Sequence, residues 1–223
     1  MIDTVIFDLD GTLLNTLEDL HASVNHSMNA HGFKERTLDE VRHFVGNGVD
    51  NLIARCIPSG KENPKYEEAL ATFKKHYIVH CNDKTGPYPG ISDMLSKLKR
   101  EGYKMAVVSN KFMDATKELV ALYFGDLVEV AIGASDTLRK KPAPDTVEEA
   151  LRQLASDKDR SVYVGDSEVD VATAKNSGME CIAVAWGFRE KKEQVEAGAR
   201  IFAESPEEVP DIVRNMKDPA FLD

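Results

Sequence analysis

The chain has 223 residues, with 28 Lys and Arg against 38 Asp and Glu, and 42% apolar against 30% charged residues. That length buries a full core for one or two domains, and the composition is that of a folded globular chain rather than a disordered one. A formal charge of −10 lacks the basic footprint that nucleic acid requires, no stretch is apolar enough for long enough to span a bilayer, and the N-terminus carries no signal-peptide pattern.

Residues 4–7, Thr-Val-Ile-Phe, form an apolar, β-rich run that predicts a buried strand. It ends in Asp8-Leu9-Asp10-Gly11, two carboxylates two residues apart and then a residue free to turn. A chain leaving a strand there can bring both groups to one spot, where they need a compensating cation. The pair reads either as a metal-bound nucleophile, Asp8, beside an acid/base, Asp10, or as a polar strand-to-loop junction. Residues 16–31 predict a helix with Leu17, Leu20, Val24 and Met28 on one face. Thr16 with Asp19 resembles a shortened capping box, and Gly32 suits the C-terminal cap. A second helix is expected over 37–44, then a glycine-rich turn through Gly46-Asn47-Gly48, a helix over 50–56 and a break at Pro58-Ser59-Gly60. A long helix over 64–81 carries Ala69, Leu70, Phe73 and Tyr77, and no strand is expected from 16 to about 82.

Thr85-Gly86-Pro87-Tyr88-Pro89-Gly90 predicts a hinge, and beyond it helix and strand alternate. Strands are expected over 104–108, 127–132, 161–164, 181–185 and 201–202. Helices are expected over 91–101, 113–124, 145–154, 171–176, 191–197 and 206–213. Such alternation predicts parallel pairing and a three-layer α/β fold. The expected layout is a Rossmann-like parallel-sheet core of residues 1–14 and 84–223, with a helical cap of residues 15–83 inserted after the first strand.

Ligands of open parallel sheets bind beyond the carboxyl ends of the strands. Asp8 and Asp10, Ser109 and Asn110, Lys141, and Asp166 and Asp170 all fall there. Singly, each has a bland explanation. Ser109-Asn110 can cap a helix, Lys141 can be a solvated loop lysine, and Asp170 can be a first-turn acid. Jointly and in this order they form a constellation. Asp8-Leu9-Asp10-Gly11-Thr12-Leu13, Val108-Ser109-Asn110, Lys141-Pro142-Ala143-Pro144 and Gly165-Asp166-Ser167-Glu168-Val169-Asp170 resemble the four motifs of the haloacid-dehalogenase-like hydrolase superfamily. The helical insert resembles that superfamily's first type of cap.

The resemblance implies Mg²⁺-dependent phosphomonoester hydrolysis through an aspartyl-phosphate. It makes Asp8 the nucleophile and Asp10 the general acid/base. The metal ligands it implies are Asp8, the backbone carbonyl of Asp10, and Asp166, with Asp170 one turn on holding a metal-bound water or a neighbouring group. Ser109, Asn110 and Lys141 would serve the transferring phosphoryl group, with Gly11 and Thr12 beside it; Lys141 is taken over Lys140 because it directly precedes Pro-x-Pro. Members that cleave carbon–halogen bonds lack a second Asp at the place of Asp10, which favours phosphoryl chemistry. Asn15 and Thr16 stand where the family often has Asp and Ser.

The cap is expected to choose the leaving group. Residues 41–48, Val-Arg-His-Phe-Val-Gly-Asn-Gly, resemble the specificity loop of phosphoglycolate phosphatases, as does Trp186-Gly187-Phe188-Arg189. On that reading Arg42 pairs with a substrate carboxylate, while Gly46, Asn47 and Gly48 let the backbone approach a small ligand; the alternative is an ordinary inter-helix turn. The same parts suit another small phosphate ester, a pyrophosphatase or a phosphosugar mutase. From a different class, they suit a phospho-accepting switch or a non-catalytic binding protein. The expected partner is a small phosphorylated metabolite, with no nucleic acid and no membrane, acting on a monomer or homodimer. Cys56, Cys81 and Cys181 have no zinc spacing and read as free thiols of a reducing compartment, so the cytoplasm is expected. His76 and His80 stand i, i+4 but have no obvious third ligand and read as a solvated face.

Overall fold

The computed structural model describes residues 2–216. Six strands form one parallel sheet: β1 (Thr4–Phe7), β4 (Lys104–Phe112), β5 (Val130–Ala134), β6 (Ser161–Gly165), β7 (Cys181–Val184) and β8 (Ile201–Ala203), in the order β5-β4-β1-β6-β7-β8. Strand β1 lies at its centre, fully buried, between β4 and β6. Alternation along the strands sends Val5 and Phe7 to one face and Ile6 to the other. On the first face Val5, Phe7, Met105, Val107, Val162 and Val164 join Ile91, Leu95 and Leu98 of α5 (Ile91–Arg100), Leu119 and Val120 of α6 (Met113–Phe124), and Val209 and Val213 of α10 (Val209–Asn215). On the second, Ile6, Ala106, Val108 and Tyr163 join Val147 and Ala150 of α7 (Asp145–Gln153) and Val171 and Ala174 of α8 (Glu168–Asn176). These are the three layers that the alternation predicts; α9 (Lys191–Glu196) lies between β7 and β8 in sequence.

The helical cap has its own core. Helices α1 (Leu17–His31), α2 (Leu38–Phe44), α3 (Val49–Cys56) and α4 (Tyr66–His80) bury Val24, Met28, Ile53, Phe73 and Tyr77 together. The chain leaves the core through β2 (Leu14–Asn15) and re-enters through β3 (Gly86–Pro87), and these two short strands pair antiparallel. Gly32 caps α1 with φ +74°, as its lack of Cβ allows. Thr16 and Asp19 do not form the expected capping box. Thr16 Oγ1 instead donates to Asp10 Oδ1 at 2.7 Å. Asp19 is buried and accepts from the Lys84 and Thr85 amides and the Thr85 hydroxyl at 2.8–3.0 Å. A capping box does form at α2, between Thr37 and Glu40.

Several elements depart from the sequence expectation: the short strands β2 and β3 are not among the expected strands, and α8 starts at Glu168 rather than 171. Strand β4 runs on to Phe112 instead of stopping at Val108, with its register to β5 interrupted between those residues. Ser109, Asn110 and Lys111 are poor strand formers, but each side chain is tied to a fixed partner, which keeps the backbone extended. Strand β5 begins at Val130 rather than 127, because Gly125–Leu127 forms a 3₁₀ turn. The last helix begins at Val209, after a 3₁₀ turn over Pro206–Glu208. All three cysteines are free and buried. His26, His76 and His80 stack in series on the cap, with His76 bonded to Ser23 and His80 to Asp83. Among the described residues no helix is long and apolar enough to cross a membrane.

Candidate active site

The carboxyl ends of β1, β4, β5 and β6 converge beneath the cap. Asp8 follows β1, its amide bonded to Val164 O and its Oδ1 to the Leu9 amide at 2.7 Å. The next residues turn tightly, with Leu13 and Leu14 amides both donating to Leu9 O. Gly11 makes this turn at φ +88°, and a Cβ there would lie 2.5 Å from Asp166 Oδ2. The position therefore demands glycine twice over, by conformation and by space.

Lys141, buried in the loop after β5, places Nζ 2.8 Å from Asp8 Oδ1 and 2.8 Å from Asp170 Oδ1, with Tyr163 OH at 3.0 Å. Asp170 is saturated: Lys141 and Tyr163 bond its Oδ1, and the Ser167 amide and hydroxyl bond its Oδ2. Its work is to hold Lys141. Asp166 receives Thr12 Oγ1 at 3.2 Å and the Phe188 amide at 2.7 Å, which leaves it further lone pairs. Lys140, by contrast, reaches the cap and pairs with Asp50 at 2.6 Å.

Asp8, Asp166 and Asp170 form the group, among the described residues, whose ligand atoms lie close enough to share a metal ion. Three buried carboxylates face one ammonium, so the cluster lacks positive charge. Burial first, and then Asp170, push Asp8 well above the carboxylate range against the pull of Lys141. Burial and Asp170 push Asp166 up to about 7, opposed by the Phe188 amide, Arg189 and Thr12. Asp170 alone stays low: burial opposes it, but Lys141, Ser167 and Tyr163 overcome that. A hard divalent cation with oxygen ligands, such as Mg²⁺, suits this donor set and this charge deficit.

Across the cleft Asp10 sits in a second network. Its Oδ1 accepts from Thr16 Oγ1 and from Lys111 Nζ, both at 2.7 Å, and its Oδ2 from Ser109 Oγ at 3.3 Å. Burial works against ionisation, yet Lys111 and Thr16 hold this carboxyl below its ordinary range. Lys111 is itself buried, and its ammonium also contacts Tyr77 OH, which reaches down from α4. Lys111 does not figure in the sequence reading, and Tyr77 figures there only as a residue of the apolar helix face. Lys111 directly follows Ser109-Asn110, so a strand continued by two residues would have delivered it to the cleft. Tyr77 lies on the apolar face of α4, which conceals its hydroxyl.

The expected residues divide by place. Asp8, Asp10, Ser109, Asn110, Lys141 and Asp166 line one cleft, with Gly46 and Gly48 from the cap above them. Gly11 and Thr12 lie beneath, packed on Asp166 rather than facing the cleft. The Asn110 side chain is spent on scaffolding: its Oδ1 accepts from the Lys141 amide, and its Nδ2 donates to Lys141 O and Gly46 O. Arg42 is not at the site. Its guanidinium bonds Asp39 at 2.7 Å on the outer face of α2, because a residue one turn from an acidic first turn finds that partner locally. Asn47 accepts from Asn51 Nδ2 through its backbone oxygen and does not line the cleft. Apolar side chains Leu20, Val45, Val49, Leu52 and Phe188 complete the roof.

A parallel α/β core with buried carboxylates and lysines at its strand ends, roofed by an inserted helical cap, defines a hydrolase scaffold. Residues 5–184 match the haloacid dehalogenase-like hydrolase family model, and the chain belongs to that family. Its curated relatives place it among the family's phosphatases. A protein of Cereibacter sphaeroides named phosphoglycolate phosphatase is 33% identical over 95% of this chain and 98% of its own length. One of the same name from Aquifex aeolicus is 30% identical over 86% of this chain and 88% of its own. Among solved structures, a provisionally named phosphoglycolate phosphatase from Lactobacillus delbrueckii superposes with a TM-score of 0.91 at 34% identity, covering 95% of this chain and 98% of its own.

Proposed function

We propose that the chain hydrolyses a small phosphomonoester whose leaving group carries a carboxylate, 2-phosphoglycolate, through attack by Asp8. The observation that carries this reading is Lys111. It is a buried ammonium at the cleft, with two of its three donors held by Asp10 and Tyr77, and so has one to offer an anion. It takes the part expected of Arg42. The names of the relatives support the same substrate.

In this mechanism Asp8, Asp166 and the Asp10 backbone carbonyl would hold Mg²⁺, whose charge offsets the repulsion between carboxylate and phosphate. Asp8 attacks phosphorus as the ester P–O bond breaks, with the Lys141 ammonium offsetting the charge that builds beside Asp8 and Ser109 lining the cleft next to it. The departing alkoxide takes a proton from Asp10. Asp10 is ionised while Lys111 is its partner; a substrate carboxylate that draws on Lys111 weakens that hold, so that Asp10 takes up a proton from water as the substrate binds and passes it to the alkoxide. In the second half, water attacks phosphorus, its proton passes to Asp10, and the bond to Asp8 breaks to release phosphate. The cap, residues 15–83, supplies the apolar roof that excludes bulk water.

The test is phosphate release from a panel of small phosphomonoesters and pyrophosphate, with and without Mg²⁺, with Asp8→Asn alongside. The expected result is a lead for 2-phosphoglycolate in kcat/KM that needs Mg²⁺ and vanishes in Asp8→Asn. A lead for another ester would overturn the substrate and keep the chemistry. A persistently phosphorylated or inert folded protein would favour the switch or the silent binder.

A further inference from the structure

The loop after β7, residues 186–189, touches three separate parts of the site. Trp186 Nε1 donates to Thr12 O at 2.9 Å, beneath the nucleophile turn. Gly187 packs so closely on Asp166 that a Cβ would lie 2.2 Å from the Asp166 Cβ. The Phe188 amide bonds Asp166 Oδ2 at 2.7 Å, while the Phe188 ring belongs to the apolar core of the cap. Arg189 then crosses into the cap. Its Nη1 donates to Arg42 O at 2.8 Å, and its Nη2 to Val45 O at 2.6 Å and His43 O at 3.3 Å. Its Nε bonds Glu168 Oε2 at 2.9 Å, and the side chain is 4% exposed. Gln194 Nε2, buried, fixes the Arg189 carbonyl from behind.

The carbonyls that Arg189 meets are those a helix leaves unsatisfied at its C-terminal end. Helix α2 ends at Phe44, with Val45 as its C-cap, and the glycine-rich loop to α3 starts there. A cation at that end is also favoured by the helix dipole. Only the flat fork of a guanidinium can serve three such carbonyls and a carboxylate at once. Within the cap, residues 45–48 are held at their far end, by Asn51 at Asn47 O and the Leu52 amide at Gly48 O, and the near end is tied to the core by Arg189 at Val45 O and Asn110 at Gly46 O.

We propose that Arg189 is a positioning residue: it caps α2 from the core side and so sets the height of the cap loop 45–48 above Asp166. At the edge of the cleft, its guanidinium is committed to the Arg42, His43 and Val45 carbonyls and to Glu168. Its effect passes through the roof, so it governs how tightly a small ester is enclosed more than how fast the bond breaks. The proposal rests on the hydrolase reading of this cleft and not on which ester is the substrate.

The test compares Arg189→Met and Arg189→Lys with wild type on whichever ester of the panel leads. Arg189→Met should raise KM about tenfold or more, the loss expected of several charge-assisted bonds, with kcat within about threefold. Arg189→Lys, able to serve one or two carbonyls, should fall between. Trp186, the single tryptophan of the chain, reads the same loop. Its fluorescence should respond to Mg²⁺ with inorganic phosphate in wild type and lose most of that response in Arg189→Met. Hydrogen exchange should show residues 38–48 losing protection in both variants while β1 keeps its own, which separates a freed roof from a misfolded chain. An unchanged KM with unchanged exchange over 38–48, or a fall in kcat alone, would overturn the proposal. A different leading ester would overturn the substrate reading and leave this one standing.

Discussion

The floor of the cleft holds Asp8, Asp10, Asp166, Lys111 and Lys141, and each side chain has at least one fixed polar partner. The roof is Leu20, Val45, Gly46, Gly48, Val49 and Leu52, which offer apolar surface and backbone. One surface is charged and immobilised by hydrogen bonds, and the other is shaped. Under the proposed function, bond-breaking belongs to the core and selection to the joint between core and cap, where Lys111 meets Tyr77 and Arg189 meets α2. A roof can be recut without disturbing a paired buried charge, whereas unpairing one costs about 3–5 kcal/mol.

The strongest way to break this division is Asp10→Asn. It keeps the shape of the floor and removes the proton carrier, so kcat should fall about 10²–10⁴-fold. Mg²⁺ binding, followed by the Trp186 signal, should change little. Turnover near wild type would end the assignment of Asp10. Lys111→Met tests the joint. Between 2-phosphoglycolate and 2-hydroxyethyl phosphate, which lacks the carboxylate, the preference in kcat/KM should drop about 10–100-fold, the worth of a charged hydrogen bond. An equal loss on both esters would limit Lys111 to its effect on Asp10.

Floor and roof should also differ in their response to pH without metal. Asp8 and Asp166 are raised by burial and by Asp170, Asp166 to about 7. The folded protein then binds more protons than the unfolded chain between the ordinary carboxylate range near 4 and about 7. Stability from this source is present below that window and is lost as pH rises through it. Thermal melts of metal-free protein should fall in Tm from pH 5 to pH 8, and Mg²⁺ should raise Tm more at pH 8. Asp166→Asn should flatten the slope. The smallest effect belongs to Arg42→Ala, since its guanidinium pairs with Asp39 away from the cleft; kcat/KM should move less than about twofold. A large loss there would return Arg42 to the site.

Sequence reading reached Asp8, Asp10, Lys141 and Asp166 of the floor because their signals are local, and missed Lys111. Asp8-Leu9-Asp10-Gly11 announces itself at a strand end, Lys141 stands before Pro-x-Pro, and Gly165-Asp166 opens a helix. The three layers follow likewise from alternation, as the two faces of β1 show. The joint was illegible for the opposite reason. Arg189 meets carbonyls 144–147 residues away, and Tyr77 meets Lys111 across two domains. No spacing encodes such pairs. Arg42 drew the substrate role through the likeness of residues 41–48 to a specificity loop, while its guanidinium meets Asp39, three residues back. Where Thr16 and Asp19 looked like a helix cap, longer-range partners claimed both.

The two ends of the cap insertion lie side by side, Leu14 facing Pro87 and Asn15 facing Gly86, and Asp19 binds the returning chain at Lys84 and Thr85. To the core, the whole cap is thus one surface loop whose ends already touch. Closure entropy grows only logarithmically with loop length, so the core tolerates a long insertion there almost as well as a short one. The same stitched stem gives the cap a single pivot in place of two independent tethers. The insertion can therefore be lengthened or shortened without re-registering any strand of the sheet.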